Sequence, residues 1–229
     1  MYDIIFCSIP YSDLGQIYSA PAILKGVAVA NNYKAKTIDF GITLLELCNH
    51  DVDLFAQVQN YFISPGNPLD EKQSDILSCF YENVLQFFQD NPSTYIGISI
   101  LSIYTHKSAF DIIRMLKENK IPAKIVVGGR GAKIPFYNIT SSGLGLTKLD
   151  KTINYGEFLK KKKLIDHLVI GDGEDAILSI LDGQRNEIED NRTDTFNYPL
   201  PNYDNYEFNK YLNHGNVSFP ITGSKGCVR

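Results

Sequence analysis

The chain opens on Tyr2 to Ser8 (YDIIFCS), a short apolar run followed by a loop rich in turn residues, IPYSDLGQIYSAP. A run of that length predicts a strand buried on both faces. Pro21 then sits at an expected first helical position, with Ser19 as a candidate cap. Ala22, Ile23, Val27 and Ala30 follow at the spacing of one apolar helical face, and Asn31-Asn32 ends the stretch. Tyr33 to Phe40 alternates and reads as a second strand. Strand, helix and strand within forty residues make the βαβ unit of a parallel sheet.

Residues 43–91 break that rhythm. They predict two helices, Thr43 to Phe62 and Leu69 to Asp90, parted by the breaker cluster SPGNP. Ile76, Leu77, Phe80, Val84, Leu85 and Phe88 fall at helical spacing, which predicts packing against the sheet. The βα alternation then resumes. Strands are expected at Thr94 to Leu101, Ala123 to Val127 and Ile165 to Ile170, with helices at His106 to Asn119, Ile153 to Lys163 and Asp175 to Leu181. The whole predicts an α/β domain over residues 1–183, a doubly wound and mostly parallel five-stranded sheet with a helical insertion at about 43–91. Residues 184–210, with YPLPNYDNYEF, read as a linker or extended strap outside the sheet.

Composition narrows the class. The chain has 229 residues, 44% of them hydrophobic, which suffices for a sizeable core. A net charge of −4 gives no basis for nucleic-acid binding. The one basic block, Lys160 to Lys163, suits a solvated helix C-terminus. No apolar run reaches the ~18 residues of a membrane span. The strand at residues 1–7 leaves no leader to expect. Four cysteines without a Cys-x-x-Cys pair predict reduced thiols and a cytoplasmic protein.

Ligands of such sheets bind outside the carboxyl ends of the strands. Those ends are Ser8 to Ser12, Asp39 to Gly41, Ser99 to Tyr104, Gly128 to Gly131 and Gly171 to Glu174. Small residues dominate three of them, as a closely approaching ligand needs and as ordinary tight turns also use. A Gly-x-Gly-x-x-Gly after the first strand is absent, as is a P-loop. Strands ending in Cys7-Ser8 and Ser99-Ile100 argue against phosphotransfer. His167, inside an apolar strand, reads as a core histidine. His106, at a helix mouth, is placed to reach the rim or to sit as polar surface.

The segments SAPAILKGVAVANNYKAKTIDF, IGISILSIYT, IVVGGRGA, LVIGDGEDAILSIL and PITGSKGCVR occur in an order that resembles radical S-adenosylmethionine enzymes with an N-terminal cobalamin-binding-type domain. Pro21, Asp39, Gly128-Gly129 and Gly171, Gly173 and Glu174 occupy matching places, while residues 43–91 and 130–150 depart from the pattern. The resemblance implies a Rossmann-like sheet of cobalamin-binding type with the nucleotide tail near Ser99, Leu101, Gly128 and Gly129. It implies a corrin ring near Tyr11, Ser12, Tyr104 and Gly171, Gly173 and Glu174. The loop after the first strand lacks the histidine of Asp-x-His-x-x-Gly, so any cobalamin would bind without that ligand.

Residues 184–229 would then be a linker and the start of the radical domain. Cys227 resembles the first cysteine of Cys-x-x-x-Cys-x-x-Cys, whose thiolates hold a 4Fe–4S cluster that binds S-adenosylmethionine. The other two would lie four and seven residues on. A complete methyltransferase-like enzyme would therefore need a radical barrel, in the same longer polypeptide or as a separate chain, acting on a small-molecule or peptide substrate. The alternative is a non-catalytic binding or interaction module of the same fold that has lost cobalamin.

Overall fold

The structure, a computed structural model, describes residues 1–15, 17–64, 66–135, 153–184, 187–191 and 199–211, with the backbone alone for 187–191. Strands β1 (Tyr2–Ser8), β2 (Ala35–Asp39), β3 (Ser93–Ser99), β4 (Lys124–Gly128), β5 (His167–Gly171) and β6 (Glu187–Asn191) form one sheet. Its order is β2-β1-β3-β4-β5-β6, and every neighbouring pair is parallel. The expected doubly wound α/β architecture is present, with one strand more than expected.

The helices are α1 (Ser19–Ala30), α2 (Phe40–Leu47), α3 (Val52–Ile63), α4 (Glu71–Asp90), α5 (His106–Glu118), α6 (Tyr155–Lys161) and α7 (Gly173–Leu181). Side chains alternate along each strand, so the sheet has two separate cores. Ile4 and Phe6 of β1 face α1 and α7, with Val27, Ala28, Ile177 and Ile180. Ile5 and Cys7 face the other way, into a larger core that includes α2 to α6. There the insertion contributes Phe40, Phe62, Phe80 and Phe88, with Phe40 edge-on to Phe80 and Phe88 at 6.5 and 5.7 Å. The helical stripe Ile76, Leu77, Phe80, Val84 and Phe88 is buried as its spacing predicts.

Three local expectations need correction. Ser19 lies inside α1 rather than capping it; Tyr18 precedes the helix and makes no side-chain cap. The single helix expected from Thr43 to Phe62 is two. Asp39 caps α2 through the Gly41 amide, the chain turns at Asn49 and His50 with φ of 53° and 59°, and Asp51 caps α3. Residues 187–191, expected in the linker, pair with β5. Helices α5 and α7 lie on opposite faces, yet β3 to β4 and β5 to β6 step the same way along the sheet. One of those crossovers is thus of the uncommon left-handed kind.

Residues 199–211 form a strap across α1 and the β2 edge. The Asn202 amide donates to the Ala22 carbonyl at 2.9 Å. Asn205 Oδ1 accepts from buried Lys25 Nζ at 2.7 Å and from the Thr37 amide at 3.2 Å. Tyr206 donates to the Tyr18 carbonyl at 3.3 Å, and Tyr211 to Asp39 Oδ2 at 2.9 Å. Gly26 lets the strap lie flat, because a Cβ there would fall on the Leu200 carbonyl oxygen.

Gly26→Ala reverses a usual rule. Gly to Ala in a helix interior normally stabilises by about 0.5–1 kcal/mol. Here the strap backbone is in the way, so a thermal melt should show Tm falling; a rise would mean the strap does not seat there. A second test concerns Asp39. Burial raises its pKa, and hydrogen bonds from Tyr211, Gly41 and Ile42 work against that rise. A raised folded-state value means that Asp39's contribution is fully present below its unfolded pKa and is lost as pH rises through the folded one. Tyr211→Phe removes a donor to the ionised form. Urea denaturation should show a loss that is larger above the folded-state pKa of Asp39 than below it, by about 1–2 kcal/mol.

Candidate functional site

The alternation of the sheet creates a cavity. On the face toward α1 and α7, the strands begin with bulky residues, Ile4, Phe6, Tyr95, Val126 and Val169. Two-residue steps toward the carboxyl ends then place Gly97, Ser99, Gly128 and Gly171 on the same face. Three glycines and a serine leave space unfilled. A cavity of about 230 Å³ lies there, closed on one side by Ala20, Pro21 and Leu24 of α1 and on the other by Gly173, Glu174 and Ile177 of α7. It sits where doubly wound sheets bind ligands, at the strand ends beside the point where β1 and β3 run side by side.

A second cavity, of about 320 Å³, lies over the strand ends between Ser8, Tyr11, Tyr18 and Leu101. Ala20 and Ser99 line both spaces, so the two are neighbours. The Ser8 hydroxyl on this second space is buried and has no hydrogen-bond partner among the described residues.

Of the residues singled out in the sequence, Ser99, Gly128, Gly129, Gly171, Gly173 and Glu174 line the lower cavity together. Tyr11 and Leu101 line the upper one, and Tyr104 is half exposed beside Tyr11, their ring centroids 5.9 Å apart. Ser12 is elsewhere. It is buried, and its backbone exchanges hydrogen bonds with the Gln59 side chain at 2.7 and 3.2 Å, so it anchors its loop to α3. Cys227 lies outside the described residues. Among those described, no group of three His, Cys, Asp or Glu side chains is arranged to hold a metal.

The two glycines after β4 differ. Gly129 adopts φ 98°, and a Cβ on it would come within 2.6 Å of the Ile100 carbonyl oxygen, so the backbone itself requires glycine. Gly128 is under no such demand. A Cβ on it would meet Val169 Cβ at 3.3 Å.

His106 is neither at the rim nor on the surface. Its ring is buried and stacks on Tyr155 at 3.8 Å. Its Nε2 lies 2.9 Å from the Gly131 carbonyl, which holds the turn after β4 in place. Burial lowers its pKa, so it is held neutral. His167 is a core residue as its strand predicts, edge-on to Tyr95 at 5.7 Å. Asp39 caps α2 and holds Tyr211, away from both cavities.

Several lining residues were not singled out in the sequence, chiefly Phe6, Leu24, Gly97 and Ile177. Gly97 carried a usable signal, since a glycine inside a strand marks a close approach. The approach proves to be the Phe6 ring, which a Cβ on Gly97 would meet at 2.9 Å. Leu24 and Ile177 look like any other apolar helix positions.

No family model matches the chain, and no curated protein matches it. Among solved structures the chain is loosely similar to the radical S-adenosylmethionine methyltransferase TsrM from Kitasatospora setae, solved with its tryptophan substrate and the analogue aza-SAM. Identity is 13% and the TM-score 0.44, over 79% of this chain and 25% of that one. This chain thus spans about a quarter of that protein's chain, and a likeness at this level decides nothing about function.

The two glycines separate structure from binding. Gly129→Ala forces a strained φ and should destabilise by about 1–3 kcal/mol. Gly128→Ala needs only a small shift of Val169 and should cost clearly less. Paired thermal melts check the order, and a larger loss at Gly128 would contradict it.

Proposed function

We propose that this domain binds a corrinoid, with the nucleotide tail in the slot between α1, α7 and the sheet, and presents it to a radical S-adenosylmethionine barrel for methyl transfer. One observation carries the reading. Gly97, Ser99, Gly128 and Gly171 hollow one sheet face into a slot that shares Ser99 and Ala20 with a second space over the strand ends. A flat heterocycle on a flexible stalk suits the slot, and a wide ring suits the space above it.

Charge at the mouth disfavours the diphosphate of a dinucleotide more than the single phosphodiester of a corrinoid's nucleotide tail. Asp172 and Glu174 stand at the start of α7, where a diphosphate would meet like charge. Carboxylates there accept hydrogen bonds from the amide groups that fringe a corrin ring.

When bound, the cofactor supplies a cobalt centre that carries the methyl group. The chain's own residues bind and orient. Burial of the tail against Phe6, Val169, Leu24 and Ile177 holds the ligand and keeps water from the slot. The loop from Ser8 to Gly15 contains no histidine, so it offers the metal no imidazole. On this reading Cys227 is the first cluster ligand, and the barrel, the 4Fe–4S cluster and S-adenosylmethionine complete the enzyme.

The test needs only purified chain and hydroxocobalamin. After mixing and desalting, the visible spectrum should keep the corrin bands in stoichiometric amount. Gly128→Val puts a branched side chain into the slot and should abolish retention while circular dichroism stays unchanged. Wild-type protein that is folded yet loses all corrin absorbance would overturn the reading and leave a non-catalytic module of the same fold.

A further inference from the structure

We infer that the slot chooses among corrinoids by the polarity of the tail base, accepting a benzimidazole or phenolic tail and disfavouring a purine. This rests on the corrinoid reading above and goes beyond it, since that reading requires only that some tail enters.

The deep part of the slot is apolar. Its floor is the Phe6 ring lying over Gly97, and its walls are Val126 and Val169 of the sheet, Leu24 of α1 and Ile177 of α7. None of these side chains donates or accepts a hydrogen bond. The strand backbones offer nothing either. Phe6 pairs with Thr37 and Gly97, and Gly97 with Val126, so the amides and carbonyls of these deep strand residues are engaged in the plane of the sheet. The polar side chains among the described lining residues, Ser99, Asp172 and Glu174, sit at the strand ends and the start of α7, near the mouth.

A base buried at that depth must therefore need no partners. Dimethylbenzimidazole, once attached to its ribose, keeps one ring nitrogen, and its methyl groups gain from apolar burial. A phenolic tail has no ring nitrogen. Adenine attached in the same way keeps three ring nitrogens, two more than dimethylbenzimidazole, and an exocyclic amine, and each extra group would lose water without finding a partner. A site without polar partners penalises the polar ligand in the same way that a site with unpaired partners penalises the apolar one.

The experiment measures dissociation constants of the whole chain by isothermal titration calorimetry. The probes are cobalamin, its analogue with adenine as the base, its phenolic analogue, and cobinamide, which lacks the nucleotide tail. Cobalamin and the phenolic form should bind alike, and the adenine form at least about tenfold more weakly, a single unpaired buried polar group sufficing for that. Cobinamide should bind weakly too. Equal affinity for the cobalamin and adenine forms, with cobinamide weaker, overturns base selection and leaves the corrinoid reading standing. Equal affinity for all four, cobinamide included, shows that no tail enters the slot. Failure of every probe to bind overturns the corrinoid reading itself. Val169→Thr adds one hydroxyl to the wall and should narrow the gap between cobalamin and the adenine form; an unchanged ratio removes the base from this slot.

Discussion

Each residue of a β-strand belongs to one face of its sheet or the other, and that two-residue period governs this domain. Strand β1 sends Ile4 and Phe6 one way and Ile5 and Cys7 the other. Because the strands are parallel, their carboxyl ends lie together at one edge of the molecule. Reduced side chains at the end of a single strand would leave a dimple. Ser99, Gly128 and Gly171 lie on three adjacent strands and on one face, so their missing volumes join into a cavity, and Gly97 lets the Phe6 ring lie flat as its floor. A one-residue slip in register would scatter these residues between the two faces and abolish it.

The two faces are unequally furnished. Five helices, α2 to α6, contribute to the larger core, and the aromatic insertion α2–α4 thickens it with Phe40, Phe62, Phe80 and Phe88. Among the described helices, α1 and α7 alone cover the face with the cavity. The insertion, conspicuous in the sequence, thus buttresses the sheet from behind and does not touch either cavity apart from its link to Ser12 through Gln59. The stacking of His106 on Tyr155 belongs to the same rear support, since it fixes the Gly131 carbonyl just past the two site glycines.

Much of this was legible in the sequence, for identifiable reasons. Five strands were readable because each is a short apolar run bounded by turn residues, and the turns at their carboxyl ends carried six of the residues that line the lower cavity. The sixth strand was not, because EIEDN has a single apolar residue and resembles the polar linker around it. The break between α2 and α3 was missed because Asn49 and His50 interrupt a run that keeps its helical periodicity on both sides. Ser12 and His106 were misplaced for a common reason. Position at a strand end or helix mouth marks a rim in the chain, but whether a side chain turns toward the rim depends on neighbours distant in sequence, Gln59 for one and Tyr155 for the other.

The helices on either side of the slot are held at different points along their lengths. Helix α1 is fastened where it forms the wall: the strap grips it at Ala22, Lys25 and Gly26, beside the lining residues Ala20 to Leu24. Helix α7 is fastened at its far end, by Tyr33 to Asp182 and by Tyr95 to the Ile180 carbonyl at 3.2 Å, whereas it meets the slot at Gly173 and Glu174. At the slot itself the start of α7 seats against α1: a Cβ on Gly173 would come within 2.9 Å of Leu24 Cδ2. By fixing α1, the strap therefore also fixes the surface on which the opposite wall of the slot rests.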